Sequence, residues 1–321
     1  MKKLVLLLLL AGCASTPRLH EGWNRIEGGP GTGCSAPGSE FAFFARPGDP
    51  KKLAIFFDGG GACWNEQTCA TDPAYDPAID EADDPASRRG IFALDDPRNP
   101  IRDFTIVSVP YCTADVFLGT RTMTYAGKEI RHIGAANAAR ALEWASSAVR
   151  DPEVVFVFGL SAGAVPSPLF AAQVAKRFPR ARVVQLGEAA GAYRSAEVLR
   201  VLTQWGAPAK SFEQLYIDAH AAAPRVTFAQ FNNGHDRVQG GFLYLLGTPA
   251  ESLPPLVLQN LADIRGAVPQ FKSYTTAGNE HIVLPRDTFY TTTTNGVALH
   301  QWIADLIAGR AVENVVAPEL R

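Results

Sequence analysis

Short, unbroken apolar runs, each closed by a turn residue, dominate the chain from residue 53 onward. Residues 53–57 are apolar throughout and stop at Asp58-Gly59-Gly60-Gly61. A short apolar run bounded by turn signals reads as a strand buried on both faces. Residues 154–158, stopped by Gly159, have the same character, and residues 104–109, stopped by Pro110, share it apart from Thr105 and Ser108. Residues 182–186, 225–231 and 271–276 supply a fourth, fifth and sixth strand. Helical stretches lie between and after them. Residues 133–149 are rich in alanine, lack proline and have no glycine beyond Gly134, which makes them the clearest helix. Residues 166–177 begin on Pro166, a residue suited to a first helical turn, and residues 296–307 form a closing helix. Buried strands alternating with helices predict an α/β fold, a mostly parallel central sheet flanked by helices on both faces. No repeat and no shift in composition divides the chain, so a single domain is expected. Residues 72–100 are acidic, proline-rich and without period, and read as a long surface excursion.

The first residues follow another pattern. Lys2 and Lys3 precede an apolar run over residues 4–10, then Ala11, Gly12 and Cys13. The run is too short for a membrane-spanning helix and reads as an export signal. Leu10-Ala11-Gly12-Cys13 resembles a bacterial lipobox, which implies acylation of Cys13 and cleavage before it. The expected organisation is a signal peptide over 1–12, a lipidated Cys13 with a tether to residue 25, and a folded domain over 26–321. Several acyl chains on one residue suffice for stable anchoring, so the membrane is an expected partner. Ala14 after the cysteine resembles outer-membrane sorting. The competing reading is plain secretion, with Cys13 a bystander.

Export makes the other cysteines informative. Cys34, Cys63, Cys69 and Cys112 are an even set in an oxidising compartment and predict two disulfides. Four cysteines permit three connectivities; Cys63 and Cys69 are close enough to close a small loop, which would leave Cys34 with Cys112. Their spacing does not suggest zinc. Of 321 residues, 47% are hydrophobic and 19% charged, which excludes wholesale disorder, and a net charge of −2 without a basic run argues against nucleic acid as a partner.

The chemistry concentrates in three places. Gly159-Leu160-Ser161-Ala162-Gly163 follows a Val/Phe strand and precedes a helix, the context of a nucleophile elbow. The glycines permit the sharp turn, Ser161 projects above the sheet, and the Ala162 N–H faces a reacting carbonyl oxygen. Asp58-Gly59-Gly60-Gly61-Ala62-Cys63-Trp64 follows the first strand, so Gly60 and Gly61 are the expected further oxyanion donors. No Walker lysine follows, which argues against a phosphate cradle. The base is sought among six histidines. His20 and His132 precede Ser161, His220 precedes the fifth strand, and His300 sits on a helix. His281 lies just past the last strand, where the order Ser, acid, His would place it. Asp236 follows the fifth strand and is the expected acid. Adjacent side chains diverge, which argues against His235 as the base for Asp236. Glu280 remains the competing acid, with Asp236 then a turn residue. This constellation specifies an α/β-hydrolase-like domain.

Several stretches together resemble the pectin acetylesterase/Notum family of serine esterases. Residues 57–64 look like the family's oxyanion loop with its nearby cysteine. Pro110-Tyr111-Cys112-Thr113-Ala114-Asp115-Val116-Phe117-Leu118-Gly119 is similar to its Tyr-Cys-Asp-Gly stretch, Gly159–Gly163 to its elbow, and Asn232–Gln239 to the segment carrying its acid. There are departures. Leu160 replaces the elbow cysteine, Gly61 a large aromatic residue, His235 and Val238 a tyrosine and a tryptophan, and Ile282 a cysteine beside the base. The resemblance implies hydrolysis of a short-acyl, O-acetyl-type ester, on an extracellular polysaccharide, with neither cofactor nor metal. Trp64, Tyr111 and Asp115 are candidates to line the site, against the plainer reading that Trp64 and Tyr111 are core. Two rivals stand beside it: a hydrolase of the same fold acting on a lipid, thioester or peptide, and a non-catalytic glycan-binding lipoprotein.

Overall fold

A computed structural model describes residues 19–320. The export signal and Cys13 lie outside the described residues, among which no helix is long and apolar enough to cross a membrane. The chain opens with β1 (Asn24–Glu27), β2 (Ala42–Arg46) and β3 (Asp49–Phe57), and β4 (Phe104–Val109) follows the acidic excursion. A hairpin, β5 (Arg121–Tyr125) and β6 (Lys128–His132), leads into α1 (Gly134–Ala148). Then come β7 (Val154–Leu160), α2 (Ser167–Arg177), β8 (Arg182–Glu188), α3 (Ala196–Gln204), α4 (Phe212–Ala222) and β9 (Thr227–Asn233). The remainder holds α5 (Arg237–Leu245), α6 (Leu253–Ala267), β10 (Lys272–Thr276), the short strands β11 (Thr293–Thr294) and β12 (Val297–Ala298), α7 (Leu299–Ala308) and β13 (Val315–Val316).

Nine strands form one sheet in the order β1-β2-β4-β3-β7-β8-β9-β10-β13. The pairs from β4 across to β13 are parallel, while β1 and β2 add an antiparallel edge. The fold is α/β-hydrolase-like, a single domain. Its unbroken apolar runs have a direct explanation. On β3, Leu53, Ile55 and Phe57 join one core cluster with α1 and α2, while Ala54 and Phe56 join the cluster on the opposite face with α7. On β7, Val155 and Val157 divide from Phe156 and Phe158 in the same way. A strand covered on both faces has no polar side to display.

The differences from expectation lie where packing overrides pattern. β3 begins at Asp49, and Lys51 and Lys52 extend it beyond the buried part of the sheet. Helix α5 contains Gly240 and Gly241, weak helix formers, and is started by Asp236 as its N-cap. Residues 72–100 are more than a surface excursion. Their short 3₁₀ turns bury Ile91 and Phe92, and Arg88 forms an ion pair with Asp58, at the head of the glycine loop. Two disulfides, Cys34–Cys112 and Cys63–Cys69, brace the loops at this end of the sheet. Among the described residues one trio has ligand-like spacing, Cys63, Cys69 and His132, but its two sulfurs are bonded to each other.

Candidate active site

Parallel strands present their C-terminal ends along one edge, where open α/β sheets bind ligands. At the end of β7, Ser161 adopts a left-handed backbone with φ of 49°. Such a non-glycine conformation costs on the order of 1–3 kcal/mol and persists only where surroundings enforce it. Its neighbours do so by close packing. A Cβ on Gly159 would lie 2.1 Å from the Gly163 carbonyl oxygen, and one on Gly163 would lie 2.2 Å from that of Phe57. Both motif glycines are therefore demanded by backbone approach.

The glycine loop lies directly opposite. A Cβ on Gly59 would stand 3.0 Å from Ser161 Cβ. Gly61 has φ of 75°, and a Cβ there would meet the Ala74 carbonyl oxygen at 2.0 Å. The loop is bridged to Tyr75, which leaves no room for a side chain at Gly61. The bridge engages the Gly60 carbonyl and the Ala62 N–H, whereas the Gly60 and Gly61 N–H groups have no acceptor among the described residues. Ala162 is the second residue of the 3₁₀ turn that begins at Ser161, where backbone N–H groups lack partners within the turn.

Asp236 follows β9 and is 1% exposed. Its Oδ1 accepts the Val238 and Gln239 N–H groups, both at 2.9 Å, and its Oδ2 accepts Gln239 Nε2 at 3.0 Å. Oδ2 also meets His281 Nδ1 at 2.7 Å. Four donors thus fix one carboxylate, with Nδ1 as the protonated ring nitrogen and Nε2 left to accept a proton. Glu280 is exposed and makes no contact of this kind. The His281 loop is laced to the β9 side: Asn233 Nδ2 donates to the Glu280 carbonyl at 2.8 Å, and the His235 N–H to that of Gly278 at 2.9 Å. No hydrogen bond reaches the Ser161 hydroxyl among the described residues. Catalytic links of this type commonly close only with substrate in place.

Beside Ser161 opens a pocket with about 70 Å³ of free space, lined by Trp64, Val165, Val201, Leu202, Trp205 and Phe242 among others. Its walls are mostly apolar. Tyr111 and Asp115 do not line it. Tyr111 is buried under Gly60, and its hydroxyl accepts the Val116 N–H at 2.7 Å. Asp115 is fully buried, accepting from Thr113 Oγ1, the Phe117 N–H and, at the start of α1, the Gly134 N–H. Burial raises its carboxyl to about 7. Both residues instead support a strained segment in which Ala114, Val116 and Phe117 all have positive φ. Val116 from that segment reaches the pocket wall. Sequence reasoning also missed Gln239, whose amide joins Asp236 to the Gly191 N–H at 3.1 Å. A glutamine three residues after an N-cap aspartate was the available signal.

The model of the pectinacetylesterase family matches residues 30–213. The chain belongs to the pectinacetylesterase family. Its members are carboxylic ester hydrolases, and this chain is assigned to that class. The matched span holds the glycine loop, both disulfides and Ser161, and ends before Asp236 and His281. No curated protein matches the sequence.

Proposed function

We propose that this pectinacetylesterase-family protein is a serine esterase working through Ser161, His281 and Asp236. The observation that carries the reading is the 2.7 Å contact between His281 Nδ1 and the buried Asp236 carboxylate, at the same sheet edge as the strained Ser161. In this mechanism His281 Nε2 takes the Ser161 proton as Oγ attacks the ester carbonyl. Asp236 orients the imidazole and stabilises the imidazolium. The Gly60, Gly61 and Ala162 N–H groups receive the oxyanion. Collapse releases the alcohol, protonated by His281, and leaves an acyl-serine. Water deprotonated by the same imidazole then frees the acid. A fluorophosphonate probe should label the protein once, with the adduct mapped by peptide mass spectrometry to Ser161. Labelling mapped to another residue would overturn the assignment.

The acyl group follows from the pocket. An acetyl group presents a single methyl, whereas the apolar lining here extends from Ser161 past Val165 to Val201, Leu202, Trp205 and Phe242. Its walls favour acyl chains longer than acetyl, each buried CH₂ contributing about 0.8 kcal/mol. Catalytic efficiency on p-nitrophenyl esters should therefore rise from acetate to butanoate and hexanoate. A maximum at acetate would instead support a dedicated deacetylase, of polysaccharide O-acetyl groups or similar esters. An N-terminal lipid on Cys13 would hold the enzyme at a membrane, outside the cytoplasm.

A further inference from the structure

Glu188 takes no part in the steps above, although it ends β8, next to the strand that carries the nucleophile. Its register partners are Leu160, immediately before Ser161, and Phe231 on β9. It is 1% exposed. Both carboxyl oxygens face the segment just past His281: Oε1 accepts the Val283 N–H at 2.5 Å and Oε2 the Leu284 N–H at 3.3 Å. The following residue, Ala189, is held at φ of 63°, with its N–H donated to the Phe231 carbonyl at 3.0 Å. A buried carboxyl is costly unless its oxygens are engaged. Here the backbone of one loop engages them. Burial is the main cause that pushes the group up to about 8; the Val283 and Leu284 N–H bonds oppose it most, the Asp236 charge adds to the rise and Arg286 opposes it.

Other ties on the His281 loop, from Asn233, His235, Arg237 and Thr276, come from β9, β10 and their extensions, and the Ile91 N–H of the 72–100 excursion donates to the Leu284 carbonyl at 2.8 Å. Glu188 supplies a tie from β8, the direction of Ser161. We infer that Glu188 is a positioning residue for ester hydrolysis, fastening the segment after His281 to the strand beside the nucleophile so that the imidazole faces Ser161. This rests on the Ser161–His281–Asp236 reading. A histidine displaced by about 1 Å costs on the order of 10²-fold in rate without altering the acyl pocket.

Steady-state kinetics of Glu188→Ala and Glu188→Gln, beside Ser161→Ala, test it. Glu188→Ala should lower kcat by about 10²-fold with KM within about twofold. Glu188→Gln keeps one acceptor oxygen for Val283 and should recover at least about tenfold of that loss. Should the alanine variant not fold, Glu188→Leu fills the same space without an acceptor and takes its place. An alanine or leucine variant with wild-type kcat, or a glutamine variant no better than either, overturns the inference while an inactive Ser161→Ala leaves the serine mechanism standing. An active Ser161→Ala would instead remove the reading beneath both.

Discussion

Ser161→Ala is expected to reduce ester hydrolysis by about 10⁴- to 10⁶-fold while leaving the protein folded. The loss is large because the substitution removes the attacking oxygen itself. Activity left after the substitution would come from the oxyanion donors and from substrate binding, which together accelerate attack by water. Stability should hold, because the Ser161 hydroxyl makes no hydrogen bond among the described residues and the side chain borders a pocket. Alanine tolerates the left-handed turn about as poorly as serine, so the backbone strain is unchanged. The measurement is kcat/KM on the best p-nitrophenyl ester, with thermal unfolding as the folding check. Retention of more than about a hundredth of wild-type activity would sink the role given to Ser161.

Asp236→Asn is the second large effect, with kcat expected to fall about 10⁴-fold. The substitution keeps the size of the side chain, and its amide oxygen can still cap α5 for the Val238 and Gln239 N–H groups. The cap itself is worth about 1 kcal/mol, so stability should change little. Chemistry should change greatly. The position of Oδ2, which faces His281 Nδ1 and Gln239 Nε2, becomes an NH₂ group. Two donors then confront it, and the imidazole escapes by moving its proton to Nε2. That tautomer cannot accept the Ser161 proton. Asp236→Ala would lose the cap as well, so it should add a fall in melting temperature that Asp236→Asn lacks. A kcat within tenfold of wild type for Asp236→Asn would transfer the acid's role elsewhere, with Glu280 first to be examined.

Much of this architecture was legible because its signals are local. Residues 104–109 read as a buried strand and form β4 over the same span. The alanine-rich stretch becomes α1, one residue shorter at each end than its pattern suggested. The glycine loop and the elbow were legible as turns since glycine spacing reports backbone needs directly. The antiparallel edge of β1 and β2 was not, because such short strands are defined by their partners. Helices α3 to α6 were likewise missed: apolar residues of α3, α4 and α5 are shared between core and pocket wall, while α6 packs Leu253, Val257, Leu261 and Ile264 into the core alone.

By itself, the chain's pattern determined that buried strands alternate with helices, that Ser161 stands on a strand-to-helix turn, and that a glycine loop follows an earlier strand. Those properties depend on periodicity and turn chemistry within a few residues. Tertiary structure alone decided the neighbours. His281 meets Asp236, 45 residues away, rather than the adjacent Glu280, because β9 and β10 are parallel and in register. Tyr111 and Asp115 hold a strained loop instead of facing the pocket, because α1 begins on the Asp115 carboxylate. Glu188 lies under the His281 loop only because β8 lies between β7 and β9. Strand order sets which distant side chains share an edge, and no local pattern records that order.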